Sequence, residues 1–112
     1  MIMSNKTDNN LSTSISEMYK MIGGQIRKIR KITGITSTEL AGMIGVSQQQ
    51  ISRYENGSTK ISLDIILRIS RVLDTSPYYF IDDGLLFFIH HHLPEESTCL
   101  HNTETILPVP MI

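Results

Sequence analysis

Apolar residues recur at helical spacing through the middle of the chain, and polar punctuation cuts them into five segments. Ile22, Ile26 and Ile29 form the first stripe, with Arg27, Lys28, Arg30 and Lys31 on the remaining faces, and Gly34 stops it. Thr36, with Glu39 three residues on, predicts a capping box, two reciprocal bonds that satisfy orphan amides at a helix start. Leu40, Ala41, Met43 and Ile44 give this second helix its apolar face, and Gly45 ends it. It is too short to stand without neighbours. Ser47 predicts the cap of a third helix through Glu55, which leaves at Asn56-Gly57 and has only Ile51 and Tyr54 to bury. From Ser62 a fourth segment carries Leu63, Ile65, Ile66, Leu67, Ile69, Val72 and Leu73, broadly apolar and therefore expected at the centre of the core. Ser76-Pro77 announces a fifth helix with Tyr78, Tyr79, Phe80 and Ile81. Residues 20–81 show neither internal repeats nor a convincing alternating strand, so the expected fold is all-α, a compact five-helix domain over 19–83.

The flanks read differently. Residues 1–18 are rich in Ser, Thr and Asn with little periodic apolarity, which predicts a flexible N-terminal arm. Residues 84–112 form an acidic extension: Leu85 to Ile89 is too apolar for a free tail, and the stretch after Pro94 reads as extended. The Leu85–Ile89 run is expected to pack on the domain or on a second subunit, and as a β-prone run it could pair edge to edge across a dimer.

A length of 112 residues leaves no room for two independent cores, and 40% hydrophobic with 19% charged residues is a globular composition. The longest apolar run has five residues, far below the ~20 of a membrane helix, and Met1–Asn10 has no apolar core for a secretory signal. A single cysteine cannot form an internal disulfide, so a cytoplasmic location is expected. The net charge of −1 conceals an asymmetry. Nine of the ten Lys and Arg residues lie between 20 and 80, whereas residues 81–112 hold five acids and no Lys or Arg. The pattern predicts a polyanion-binding body with an end that avoids polyanions, although an ordinary solvated surface would also accommodate it.

The second and third segments supply the candidate chemistry. Glycine in the tight turn, small Ala41 where helices cross and Ile51 between them are what a helix-turn-helix requires. Such a turn projects its second helix towards a DNA major groove. Gln48, Gln49, Ser52 and Arg53 occupy adjoining surface positions away from Ile51. Glutamine can bond bidentately to adenine and arginine to guanine, so these four are the candidate base readers. Three consecutive glutamines can also be a plain solvated face, and Gln50 lies round the helix as a packing or solvent residue. Asn56, Ser58, Thr59 and Lys60 follow the helix and are placed to meet the DNA backbone, or form a polar loop. Lys28 and Lys31 could face DNA or solvent.

From Ile22 to about Asp83 the chain resembles the Cro/repressor-type, or XRE, helix-turn-helix family. The matching residues are Ile22-Gly23, Ile26-Arg27-Lys28-Ile29-Arg30, Gly34-Ile35-Thr36, Glu39-Leu40-Ala41, Gly45-Val46-Ser47, Ile51-Ser52, Glu55-Asn56-Gly57 and Pro77-Tyr78-Tyr79-Phe80. The resemblance implies a lambda-repressor-like domain, commonly dimeric on a palindromic operator. It implies a DNA phosphate contact at position 37 and a structural pair between Arg30 and Glu55; Ser37, Ser47, Asn56, Ser58 and Lys60 are together the candidate phosphate contacts. Ser37 departs from the glutamine usual at that position. The Ser47–Glu55 stretch also resembles the S-Q-Q-Q-F-S-R-Y-E signature of MrpJ-type regulators, with Ile51 in place of phenylalanine. That narrower likeness implies a regulator linked to fimbriae and repressing flagellar motility.

The expected partners are therefore double-stranded DNA and a second copy of the chain. The alternative is an antitoxin or adaptor whose acidic C-terminus and Leu85–Ile89 patch bind a protein. His90, His91, His92, Cys99 and His101 are metal-capable residue types, but adjacent histidines diverge and no second spaced cysteine pair exists, so no metal is expected. No cofactor and no enzymatic activity are expected either. The chain shows no phosphate-binding glycine loop, and no nucleophile has a base in view.

Overall fold

In the computed structural model the backbone is described for residues 2–93 and the side chains for residues 10–93. Five helices follow one another: α1 (Ile2–Ile32), α2 (Ser37–Ile44), α3 (Gln48–Asn56), α4 (Leu63–Val72) and α5 (Pro77–His92). The short helices begin where side chains can satisfy orphan amides. Glu39 N donates to Thr36 Oγ1 at 3.0 Å and Thr36 N to Glu39 Oε1 at 2.9 Å, closing the capping box of α2. Ser47 and Ser62 accept from Gln50 N and Ile65 N at the starts of α3 and α4, and Ser76 caps α5 ahead of Pro77. Between α2 and α3, Gly45 takes φ 77°, a left-handed conformation that costs glycine little. Its N–H and that of Val46 both reach Ala41 O, at 2.9 and 3.0 Å, and turn the chain sharply.

All five helices contribute to one core, in which Ile26, Leu40, Ile51, Ile69 and Phe80 are fully buried. α3 lies between α1 and α2, and α2 also rests on α4. Gly23 permits the α1–α3 crossing. A Cβ there would collide with the carbonyl oxygens of Tyr54 and Glu55.

Three expectations are corrected. The first eighteen residues are not an arm apart from the fold; from Ile2 they are the leading turns of α1. Leu11, Ile15 and Met18 are half-buried and extend the Ile22 stripe towards the N-terminus. The Leu85–Ile89 run is not an edge strand. It lies in α5, which continues to His92 and packs extensively along α1, with Gly84 fitted against Met18 and Ile22. The expected boundaries at 18 and 83 thus fall inside continuous helices. Finally, α4 buries a stripe of Ile66, Ile69 and Ser70, while Leu63 and Leu67 are exposed, so it is not apolar all round in its setting. The expected extended stretch after Pro94 lies outside the described residues.

Candidate nucleic-acid interface

The turn at Gly45 and the cap at Ser47 set the direction of α3, and burial of Ile51 and Tyr54 sets its rotation. Positions 49 and 53 are one turn apart and share a face. Gln49 and Arg53 are both exposed there, and among the described residues neither side chain has a protein hydrogen-bond or ion-pair partner. The side-chain amide of Gln49, with its carbonyl acceptor and NH2 donor, and the guanidinium fork of Arg53 are therefore free to bind an external ligand.

Gln48 and Ser52 behave differently. The Gln48 amide nitrogen donates to Ser37 Oγ at 3.2 Å and to Ser52 Oγ at 3.1 Å. Gln48 is exposed, yet its donor group bridges α3 to the first residue of α2, leaving the side-chain carbonyl as its free acceptor. Ser37 and Ser52 are half-buried members of this bridge. Ser47 spends its hydroxyl as an acceptor on Gln50 N at 3.0 Å while remaining exposed. Asn56, Ser58 and Lys60 are exposed at the far end of α3, where Ser58 N donates to Arg53 O at 3.0 Å.

Beside this bridge lies a cleft of about 300 Å³ lined by Arg27, Arg30, Ser37, Ser52, Glu55 and Asn56. Arg30 Nε and Nη2 donate to Glu55 Oε2 and Oε1 at 2.6 and 2.9 Å, and Nη1 donates to Ile35 O at 3.0 Å. The hydrogen bond to Glu55 raises the Arg30 pKa above its ordinary value against the opposing effect of burial, so the guanidinium stays charged. That pair is neutral as a unit. Arg27, exposed and one turn from Arg30, brings the cleft's remaining positive charge. With two hydroxyls and the Asn56 amide, the cleft presents donors suited to an anionic oxygen group. Arg27 was missed as a site residue. Its signal was the i, i+3 spacing to Arg30 on a helix whose other face is Ile22, Ile26 and Ile29.

Among the described residues no cluster of His, Cys, Asp or Glu is arranged to hold a metal ion; Cys99 and His101 lie outside them. Likewise, no described helix is long and apolar enough to cross a membrane.

Comparison with known proteins agrees with this geometry. Residues 26–80 match the family model described as Helix-turn-helix. The P22 c2 repressor, solved in complex with a synthetic operator, superposes with a TM-score of 0.52 at 34% identity, over 55% of this chain and 92% of that one. An uncharacterized HTH-type transcriptional regulator of Sinorhizobium fredii is 34% identical over 64 residues, which is 57% of this chain and 45% of the relative. The antitoxin PezA of Streptococcus pneumoniae is 41% identical over 46 residues, 41% of this chain and 29% of the relative. Across the curated relatives it matches, the chain spans between 16% and 45% of their length. The chain thus belongs to the XRE-type helix-turn-helix family, and its described residues form a lambda-repressor-like, all-α fold.

Proposed function

We propose that the protein is a sequence-specific transcriptional regulator that binds its operator as a homodimer, with α3 in the major groove. The observation that carries this reading is the pair Gln49 and Arg53, exposed on one face of a clamped helix and free of protein partners. In this reading Gln49 and Arg53 read base edges directly, and Gln48 and Ser52 contribute through the carbonyl and hydroxyl they retain. Ser37, Ser47, Asn56, Ser58 and Lys60 meet backbone phosphates, and Arg27 joins them. The protein acts in the cytoplasm as a DNA-binding protein and not as an enzyme. The dimer reading is supported by α5, where Leu85, Leu86 and Ile89 are 43%, 61% and 42% exposed on the side away from the core.

The test is a mobility-shift titration on a duplex selected by the wild-type protein. Gln49→Ala and Arg53→Ala should each weaken binding by about 1–3 kcal/mol and relax specificity at one base pair. Unchanged affinity in both variants would reject this readout. Because phosphate neutralisation contributes heavily, affinity should also fall steeply with added salt.

The finer assignment, to a fimbria-linked regulator that represses flagellar motility genes, is supported by the match of Ser47–Glu55 to the MrpJ-type signature at eight of nine positions. Chromatin immunoprecipitation tests it through occupancy at flagellar and fimbrial promoters. The similarity to PezA supports a second reading, an autoregulating antitoxin. Occupancy at its own promoter alone, with a stoichiometric copurifying protein partner, would favour that reading.

A further inference from the structure

α1 is longer than the helix-turn-helix requires, and its leading turns have an unusual composition for a helix. Ser12, Thr13, Ser14 and Ser16 fall within two turns, although such residues compete with the helix backbone for hydrogen bonds and lower its propensity. Leu11, Ile15 and Met18 supply the apolar positions, so core packing does not call for hydroxyls at the others.

Ser12, Ser16 and Tyr19, with Ile15 between them, form one wall of a cleft of about 270 Å³, whose other wall is Gly57, Ser58 and Lys60. These latter residues belong to the loop that leaves α3. The walls are held together at Gly57, where an added Cβ would fall 2.7 Å from Lys20 Cα. The loop is tied in turn to α3 by the bond from Ser58 N to Arg53 O. The cleft is therefore continuous with the end of the helix that carries Gln49 and Arg53. Its lining brings the hydroxyls of Ser12, Ser16 and Tyr19 and the Lys60 ammonium group, with no acid among the lining residues; the fourth hydroxyl, of Ser58, donates to Arg53 O at 3.3 Å and offers its oxygen lone pairs only. The nearby Glu17 carboxylate is held by Lys20 Nζ at 3.3 Å, which offsets its repulsion of an anion. A phosphodiester, singly charged and rich in acceptor oxygens, matches that donor set.

We propose that this cleft is a further phosphate site, taking a backbone phosphodiester of duplex DNA that flanks the bases read by α3. The inference rests on the DNA-binding reading above and extends it. Ser58 and Lys60 approach the strand from the loop, and the hydroxyls of Ser12, Ser16 and Tyr19 close on it from α1. The first turns of α1 thereby lengthen the contact along the DNA backbone beyond the end of the recognition helix.

The test is ethylation interference combined with affinity, using the wild-type full chain, the triple variant S12A/S16A/Y19F and Arg53→Ala on a selected duplex. Alanine favours helix over serine and phenylalanine keeps the Tyr19 ring, so the triple variant is expected to fold, as its thermal melt will show. Wild type should show interference at a phosphate outside the bases read by α3, and the triple variant should lose that signal. Its affinity should fall about tenfold, equally on selected and unrelated duplexes, whereas Arg53→Ala should alter base preference and keep the flanking signal. A folded triple variant with wild-type affinity and interference pattern overturns the proposal and leaves the DNA reading intact. A wild-type protein that binds no duplex overturns both. Titration with inorganic phosphate separates the remaining source of the same chemistry. Saturable shifts of the Ser58 and Lys60 amides, with no effect of the triple variant on DNA affinity, would assign the cleft to free phosphate and overturn the proposal.

Discussion

Among individual residues, the pair of Arg30 and Glu55 has the clearest energetic consequence. Their side chains are 11% and 6% exposed, and the two-pronged contact ties α1 to α3. Burying two charges costs nearly what their attraction returns, but removing one alone strands the other. Glu55→Ala should therefore destabilise the fold by about 3–5 kcal/mol in chemical denaturation. The double variant R30M/E55L should recover much of that loss, because it leaves no stranded charge. The raised Arg30 pKa contributes stability that is fully present below its ordinary value and is lost only as pH rises through the elevated one. Titration of Arg30 is accordingly expected to leave the thermal midpoint unchanged between neutral pH and mild alkali. Of these site details, the residue types on α3 were readable from sequence. The Gln48 bridge was not, because it joins residues 11 positions apart and depends on how α2 meets α3.

For the helices, caps and glycines carried more information than apolar content. α2 and α3 are short and bury few residues, yet their limits were legible because Thr36, Ser47, Gly45 and Gly57 mark places where backbone groups need side-chain partners or a left-handed turn. Gly45→Ala should cost about 1–2 kcal/mol through its positive φ, read as a lowered thermal midpoint, since open space surrounds it and no clash is added. Gly23→Ala should cost more, about 3 kcal/mol, since the new methyl group meets backbone carbonyls of α3 that cannot rotate away. At both ends of the helical array the secondary structure departs from the expectation, although the Leu85–Ile89 helix does pack on the domain, as one of its two expected placements had it. The leading turns of α1 hide a sparse Leu11, Ile15, Met18 stripe among hydroxyls, and the Leu85–Ile89 run has no helical periodicity of its own. Each is helical against the other, and neither segment alone advertises that pairing.

At the scale of the whole molecule, α5 packs along α1 and also exposes Leu85, Leu86 and Ile89 outward, beside the exposed acids Asp82 and Asp83. In the proposed dimer, the outward residues meet a second copy. Replacing both Leu86 and Ile89 with glutamate should yield a monomer by sedimentation while preserving helical content, because both side chains are exposed in the single chain. Binding to a two-fold operator should then fall to that of a half-site. A wild-type protein sedimenting as a monomer at all accessible concentrations would contradict this arrangement.

Local chemistry written into the chain was enough to determine the helix-turn-helix: cap hydroxyls, turn glycines and a narrow buried stripe each act within a few residues. It was also enough to place glutamines and an arginine on the polar side of α3. The lengths of α1 and α5, the closure of the Ser12–Lys60 cleft and the engagement of Gln48 were decided only by tertiary structure. In each of these, a weak local preference is settled by a surface that comes from a distant part of the sequence.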